Sequence, residues 1–160
     1  MSLTVSPLIA RLAFLGLLAG CSAGSTAPIV QVPPEIVNAP EEVVVGNATL
    51  RLNVYPWRDF QPGSSSDTRL MTQFQIAVAT GSLPSGLRVE KAWLIRESEA
   101  WITVPRQEAP QSSATRVDYM ARGGPTWPVG TLVTGVVQLR DAADNSYLLR
   151  SSAQAIARTD

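Results

Sequence analysis

Histidine is missing from all 160 residues, and cysteine occurs once, at Cys21. The first absence excludes Ser-His-Asp and Cys-His nucleophilic centres, histidine zinc sites and histidine general bases. The second excludes an intramolecular disulfide. Lysine is nearly absent as well, since Lys91 is the sole exception among 13 basic residues that are otherwise arginine. That bias reads as the codon usage of a GC-rich genome rather than as chemistry. Charge of either sign is not in excess, with 13 basic and 13 acidic residues. Electrostatic capture of nucleic acid or of anionic lipid is therefore not expected. No apolar run approaches the roughly 20 residues that a membrane-spanning helix needs.

What the chain does carry begins at its N-terminus. Residues 12–20 are an unbroken run of apolar and small side chains behind the single positive charge of Arg11. At about 1.5 Å rise per residue such a run covers less than half of a ~30 Å hydrocarbon core, so it reads as a signal-peptide core and not as a span. It ends in Leu18-Ala19-Gly20-Cys21, which resembles the lipobox of bacterial lipoproteins, with small residues where a signal peptidase must reach the backbone. The resemblance covers only the leader and Cys21. It implies cleavage after Gly20, a diacylglyceryl group on the Cys21 sulfur and acylation of the new amino group. Several acyl chains, palmitate among them, make a stable membrane anchor, because each buried methylene contributes about 0.8 kcal/mol and one chain alone binds only marginally. Ser22 in place of Asp after the cysteine resembles the pattern of lipoproteins sent to the outer membrane, facing the periplasm. Loss of Arg11 with the leader leaves 12 basic against 13 acidic residues, a net charge near minus one.

Residues 21–41 read as the lipidated cysteine and a tether. Ser, Ala and Gly come first, then Pro28, Pro33, Pro34 and Pro40, a composition that spaces a body from a surface rather than building a core. Residues 42–160 form the one expected domain, about 120 residues long, enough to bury a real core without staples. Alternation of period two dominates it. Leu50, Leu52 and Val54 oppose Arg51, Asn53 and Tyr55, and Leu70, Thr72, Phe74, Ile76 and Val78 oppose Met71, Gln73 and Gln75. Val89, Trp93 and Ile95 suggest a further face, interrupted by Lys91, and segments 101–104, 116–121, 132–139 and 146–149 complete the series. Turn clusters at Pro62-Gly63-Ser64, 81–86, Gly123-Gly124-Pro125 and 141–145 separate them. The expectation is an all-β fold, an antiparallel immunoglobulin-like β-sandwich of about seven strands closed by a final hairpin. Residues 152–158 lack alternation and could instead form a short helix.

Without histidine, chemistry would fall to carboxylates. Glu97 and Glu99 lie two apart at an expected hairpin and would share one face of a strand, as an acid and base pair requires, although a solvated turn is the blander account. Asp141, Asp144 and Asn145 offer oxygen ligands of the kind calcium takes, but their spacing is not that of an EF-hand and the same residues are ordinary turn formers. No catalytic residue, metal or cofactor is assigned. Trp57, beside Tyr55-Pro56 and Arg58, and Trp127, in a loop with Arg122, are the candidate binding residues, since aromatics near arginine anchor interfaces and stack on sugar rings. Arg122 is expected to stack on Trp127, and Trp93 to sit in the core.

The reading is a non-enzymatic envelope lipoprotein, tethered to the membrane through Cys21, whose sandwich binds or helps assemble a protein partner. The competing reading is a carbohydrate or peptidoglycan binder using Trp57, Trp101 or Trp127.

Overall fold

The computed structural model describes residues 29–61, 68–108 and 113–160. The leader, Cys21, residues 22–28 of the expected tether and the turn at Pro62-Gly63-Ser64 lie outside them. The described chain forms β1 (Ile29–Gln31), α1 (Pro34–Val37), β2 (Glu42–Val45), β3 (Ala48–Asp59), β4 (Met71–Thr80), β5 (Arg88–Arg96), β6 (Glu99–Thr103), β7 (Arg106–Gln107), β8 (Arg116–Ala121), β9 (Leu132–Arg140), β10 (Ser146–Ala155) and β11 (Ala157–Thr159).

Two sheets face each other. One has the order β1-β6-β5-β9-β10 and the other β11-β3-β4-β8-β7, with β2 also paired to β3. Seven strands form the nucleus: hairpin β3-β4 lies in the second sheet, hairpins β5-β6 and β9-β10 in the first, and β8 returns beside β4 before the chain crosses again to β9. That is a Greek-key sandwich of the immunoglobulin-like kind. The remaining strands are two to four residues long and occupy the rims, where short strands limit edge-to-edge pairing.

The period-two faces of the sequence become the interior. Leu50, Leu52 and Val54 of β3 and Phe74 and Ile76 of β4 meet Leu94, Val133, Val137, Leu139 and Leu149 from the opposite sheet. Leu50, Phe74, Ile76, Leu94, Leu139 and Leu149 have no exposed surface, and each such side chain contributes about 1.5–3 kcal/mol on leaving water.

On β5 the face read as Val89, Trp93 and Ile95 divides. A bulge between Val89 and Lys91 shifts the phase by one residue. Val89, Ala92 and Leu94 then join the central core, whereas Trp93 and Ile95 point to the outside of the five-stranded sheet. There they are covered. Ile36 and Ala39 pack with Trp93, Ile95, Ala100 and Val136 in a second apolar cluster, and Ile36 is only 6% exposed.

The cover comes from residues read as tether. β1 pairs antiparallel with β6, α1 is a single turn opened by Pro34, Arg150 N–H donates to Pro40 O at 2.8 Å, and Arg150 pairs with Glu41 at 3.0 Å. Packed structure thus begins by Ile29 rather than at Glu42. Pro33, Pro34 and Pro40 do not prevent this, because Pro34 lies at a helix start and the other two flank short pieces where a missing N–H costs nothing.

The C-terminal end also departs from expectation. Residues 152–158 are not helical: β10 runs to Ala155 across a bulge between Arg150 and Ala153, and β11 pairs parallel with β3 from Ala157↔Trp57 to Thr159↔Asp59.

Candidate functional site

The outer face of the six-stranded sheet brings part of the sequence-predicted site together. Its side chains follow from register. Tyr55, Gln73 and Met120 stand in one row across β3, β4 and β8, and Arg106 of β7 extends that row beyond Met120. Trp57 and Met71 stand in the next row, and Arg122, just past β8, donates through Nη1 to Met71 Sδ at 3.1 Å. Trp57 and Arg122 thus flank one methionine.

Trp127 is elsewhere. It is 4% exposed and belongs to the central core, as does Trp101 at 3%. The guanidinium over its ring is that of Arg96, 5.0 Å from the ring centroid, and not that of Arg122. Arg96 is in turn held by Glu99 at 2.6 Å. Gly124 explains part of this burial: a Cβ there would come within 2.7 Å of the Trp101 ring, so the glycine lets the 122–130 loop lie flat on the indole. Trp93 is buried as expected, although in the second cluster, with the Lys91 ammonium 5.7 Å from its ring.

The outer face changes character along its length. At one end, Asn53 Nδ2 donates to Gln75 Oε1 at 3.3 Å, Gln75 Nε2 donates to Asp118 Oδ1 at 3.0 Å, and Arg116 lies 3.7 Å from Asp118 Oδ2. Arg51 pairs with Glu42 at the neighbouring edge. This half is a polar ladder whose members pair with one another, although the buried Asp118 Oδ2 accepts no hydrogen bond among the described residues. At the other end the outward positions are Tyr55, Trp57, Met71 and Met120, with Gln73 between Tyr55 and Met120 as their one polar member. Tyr55 is 49% exposed, and Trp57, Met71 and Met120 are half-buried. Beside them is a surface depression of about 390 Å³ whose walls include Val104, Met120, the two cations Arg106 and Arg122 and one carboxylate, Glu108.

The carboxylate candidates are engaged in turns. Glu97 sits in the two-residue β5-β6 hairpin turn with φ 54°, so it does not share a strand face with Glu99, which pairs with Arg96. Asp141 accepts from Ala143 N–H, Asn145 N–H and Asn145 Nδ2 at 2.9 Å each and from Tyr147 OH at 3.0 Å. These donors, the Asn145 side chain foremost, hold the Asp141 carboxyl below the ordinary aspartate range, and the hydrogen bond to Asp141 raises Tyr147. Asp144, with φ 67°, turns away to pair with Arg88. The loop uses its oxygens to fold itself, and among the described residues no group of acidic or cysteine side chains is arranged to hold a metal ion.

Tyr55, Met71, Met120 and Arg106 were not singled out in the sequence. The available signal was local: at 55, 57, 71 and 120 the solvent-side positions of alternating strands carry aromatic or thioether side chains where 51, 53, 73 and 75 carry polar ones. No family model, no curated protein and no solved structure matches the chain.

Proposed function

We propose that the chain is a cell-envelope lipoprotein, acylated at Cys21 and held at the outer membrane facing the periplasm, whose sandwich binds or helps assemble an envelope protein without catalysing a reaction. The observation that carries this reading is Leu18-Ala19-Gly20-Cys21 at the end of a short apolar run behind Arg11. Because Ile29 is already paired with Trp101, at most residues 22–28 separate the anchor from folded structure. At ~3.3 Å per residue that allows the body no more than about 25 Å of reach, which suits a partner that itself lies at the membrane surface. The lack of histidine and the engagement of Glu99 and Asp141 in structural contacts support a binding role over hydrolysis.

The glycan-binding reading is weaker on this fold. Of its three tryptophans, Trp101 and Trp127 are buried, and only Trp57, with Tyr55 two residues away on the same face, is placed to meet a sugar ring.

The test is the full chain and its Cys21→Ser variant expressed in a Gram-negative host. The N-terminal peptide of the parent should begin at residue 21 and carry the mass of a diacylglyceryl group plus an acyl chain, and the protein should enter the detergent phase. The variant should lose both properties. An unmodified thiol, or a parent protein found in the cytosol, overturns the reading.

A further inference from the structure

The tryptophan end of the six-stranded sheet's outer face is unlike the rest of that face, and the difference is one of charge as well as polarity. An antiparallel sheet that turns one face to water carries polar side chains there. The half containing Asn53, Gln75 and Asp118 obeys, and hydrogen bonds link these three side chains in series. The half containing Tyr55, Trp57, Met71 and Met120 departs from this at every outward strand position but Gln73.

Arginine pairing sharpens the contrast. Arg51, Arg88, Arg96, Arg116, Arg140, Arg150 and Arg158 each lie within 4 Å of a carboxylate. Arg58 is spent on backbone carbonyls. Arg106 and Arg122 are both exposed and have no carboxylate at ion-pair distance among the described residues. They stand on either side of Met120 at the same depression. Trp, Tyr, Met and Arg are the residues enriched at protein interfaces, and guanidinium forks match carboxylates in two-point hydrogen bonds.

We propose that this patch is the docking surface for the envelope protein partner, and that the partner presents an acidic segment. Its carboxylates pair with Arg106 and Arg122 while its apolar side chains cover Tyr55, Trp57, Met71 and Met120. The inference rests on the protein-binding reading above and adds to it the surface and the chemistry recognised. A short tether also fits, since a body held close to the bilayer meets membrane-bound partners in a limited range of orientations.

The experiment uses the full chain in its host envelope with the photocrosslinker p-benzoylphenylalanine at position 55, or at Gln154 on the opposite sheet as a control. After irradiation the crosslinked peptide is identified by mass spectrometry. Position 55 should give an adduct to a segment of another protein in which acidic residues outnumber basic ones. The adduct should fall at least about tenfold with Arg106→Glu and Arg122→Glu together, with no comparable adduct from position 154. The melting temperature of the doubly reversed protein, measured alongside, should stay within a few degrees of the parent, because both side chains are exposed. The proposal is overturned if position 55 crosslinks to phospholipid, to a second copy of this chain or to a segment without acidic excess. It is equally overturned if charge reversal leaves the yield unchanged in a folded protein, or if position 55 gives no adduct. An acylated Cys21 in those cells would show that the surface assignment had failed and the envelope reading had not. A cytosolic chain with a free thiol would remove both.

Discussion

Gly135 of β9 lies directly beneath Val54 of β3, so close that a Cβ at position 135 would overlap Val54 Cγ1. The Gly135 N–H is tied to Ser151 Oγ at 2.9 Å on the adjacent strand. Gly135→Ala should destabilise the fold by about 1–3 kcal/mol through overpacking. Val54→Ala in the same protein should recover part of that loss, because the two changes share one contact. Urea unfolding of the two single variants and the double variant checks this, and simple additivity would mean that the crowding lies elsewhere.

The bulge that rephases β5 leaves Val89 N–H outside the regular ladder, and the phenol of Tyr119 accepts its hydrogen bond across the sandwich at 3.3 Å. Burial raises the Tyr119 pKa, with the Val89 hydrogen bond opposing it. Tyr119→Phe keeps the ring but strands a buried donor. The expected cost is about 1–3 kcal/mol in chemical denaturation.

Arg58 gathers three chain segments. Its Nε donates to Thr68 O at 2.6 Å, its Nη1 to Trp127 O at 3.2 Å and its Nη2 to Thr68 Oγ1 at 2.9 Å, while the guanidinium lies 5.0 Å from the centroid of the Phe60 ring. Lysine cannot reproduce that fork. Arg58→Lys should therefore cost about 2 kcal/mol, nearly as much as Arg58→Ala, and hydrogen exchange should quicken first in β11 and in the 122–130 loop.

Acid should weaken the 141–145 turn in a definable window. The folded Asp141 pKa lies below its unfolded value, so its contribution to stability is fully present above the unfolded carboxyl pKa of about 4 and is lost as pH falls through the lower folded value. Asp141→Asn should melt at a lower temperature than the parent at pH 7. The gap should narrow as pH falls below about 4 and close once pH lies below the folded pKa. A gap that stays constant over that range would show that the charge of Asp141 has no part in holding the turn.

The candidate site was legible only in part. Trp57 and Arg122 were visible as an aromatic and a cation outside the apolar face, and they do meet, through Met71. Arg122 and Trp127 are neighbours in sequence but not in function, because Gly124 lays the loop onto Trp101 and Arg96 arrives over Trp127 from β5. Met120 and Arg106 join the face by cross-strand register, for which a single strand carries no local sign.

Sequence alone settled the seven central strands and the sides of most of them, because the pleat alternates side chains every residue and water sorts them. Thus Leu50, Phe74 and Ile76 could be placed inside before any fold was known. Tertiary structure decided what depends on distant neighbours. It turned Trp93 and Ile95 outward through one extra residue in β5, and it supplied Ile36 and Ala39 to cover them. The uninterrupted run Ala92-Trp93-Leu94-Ile95 was the trace of that second covered face, since a strand buried on both sides has no polar side to show. What lies across the sheet is set by pairing between segments tens of residues apart, and that pairing is an energy of the whole sandwich rather than of any window of its chain.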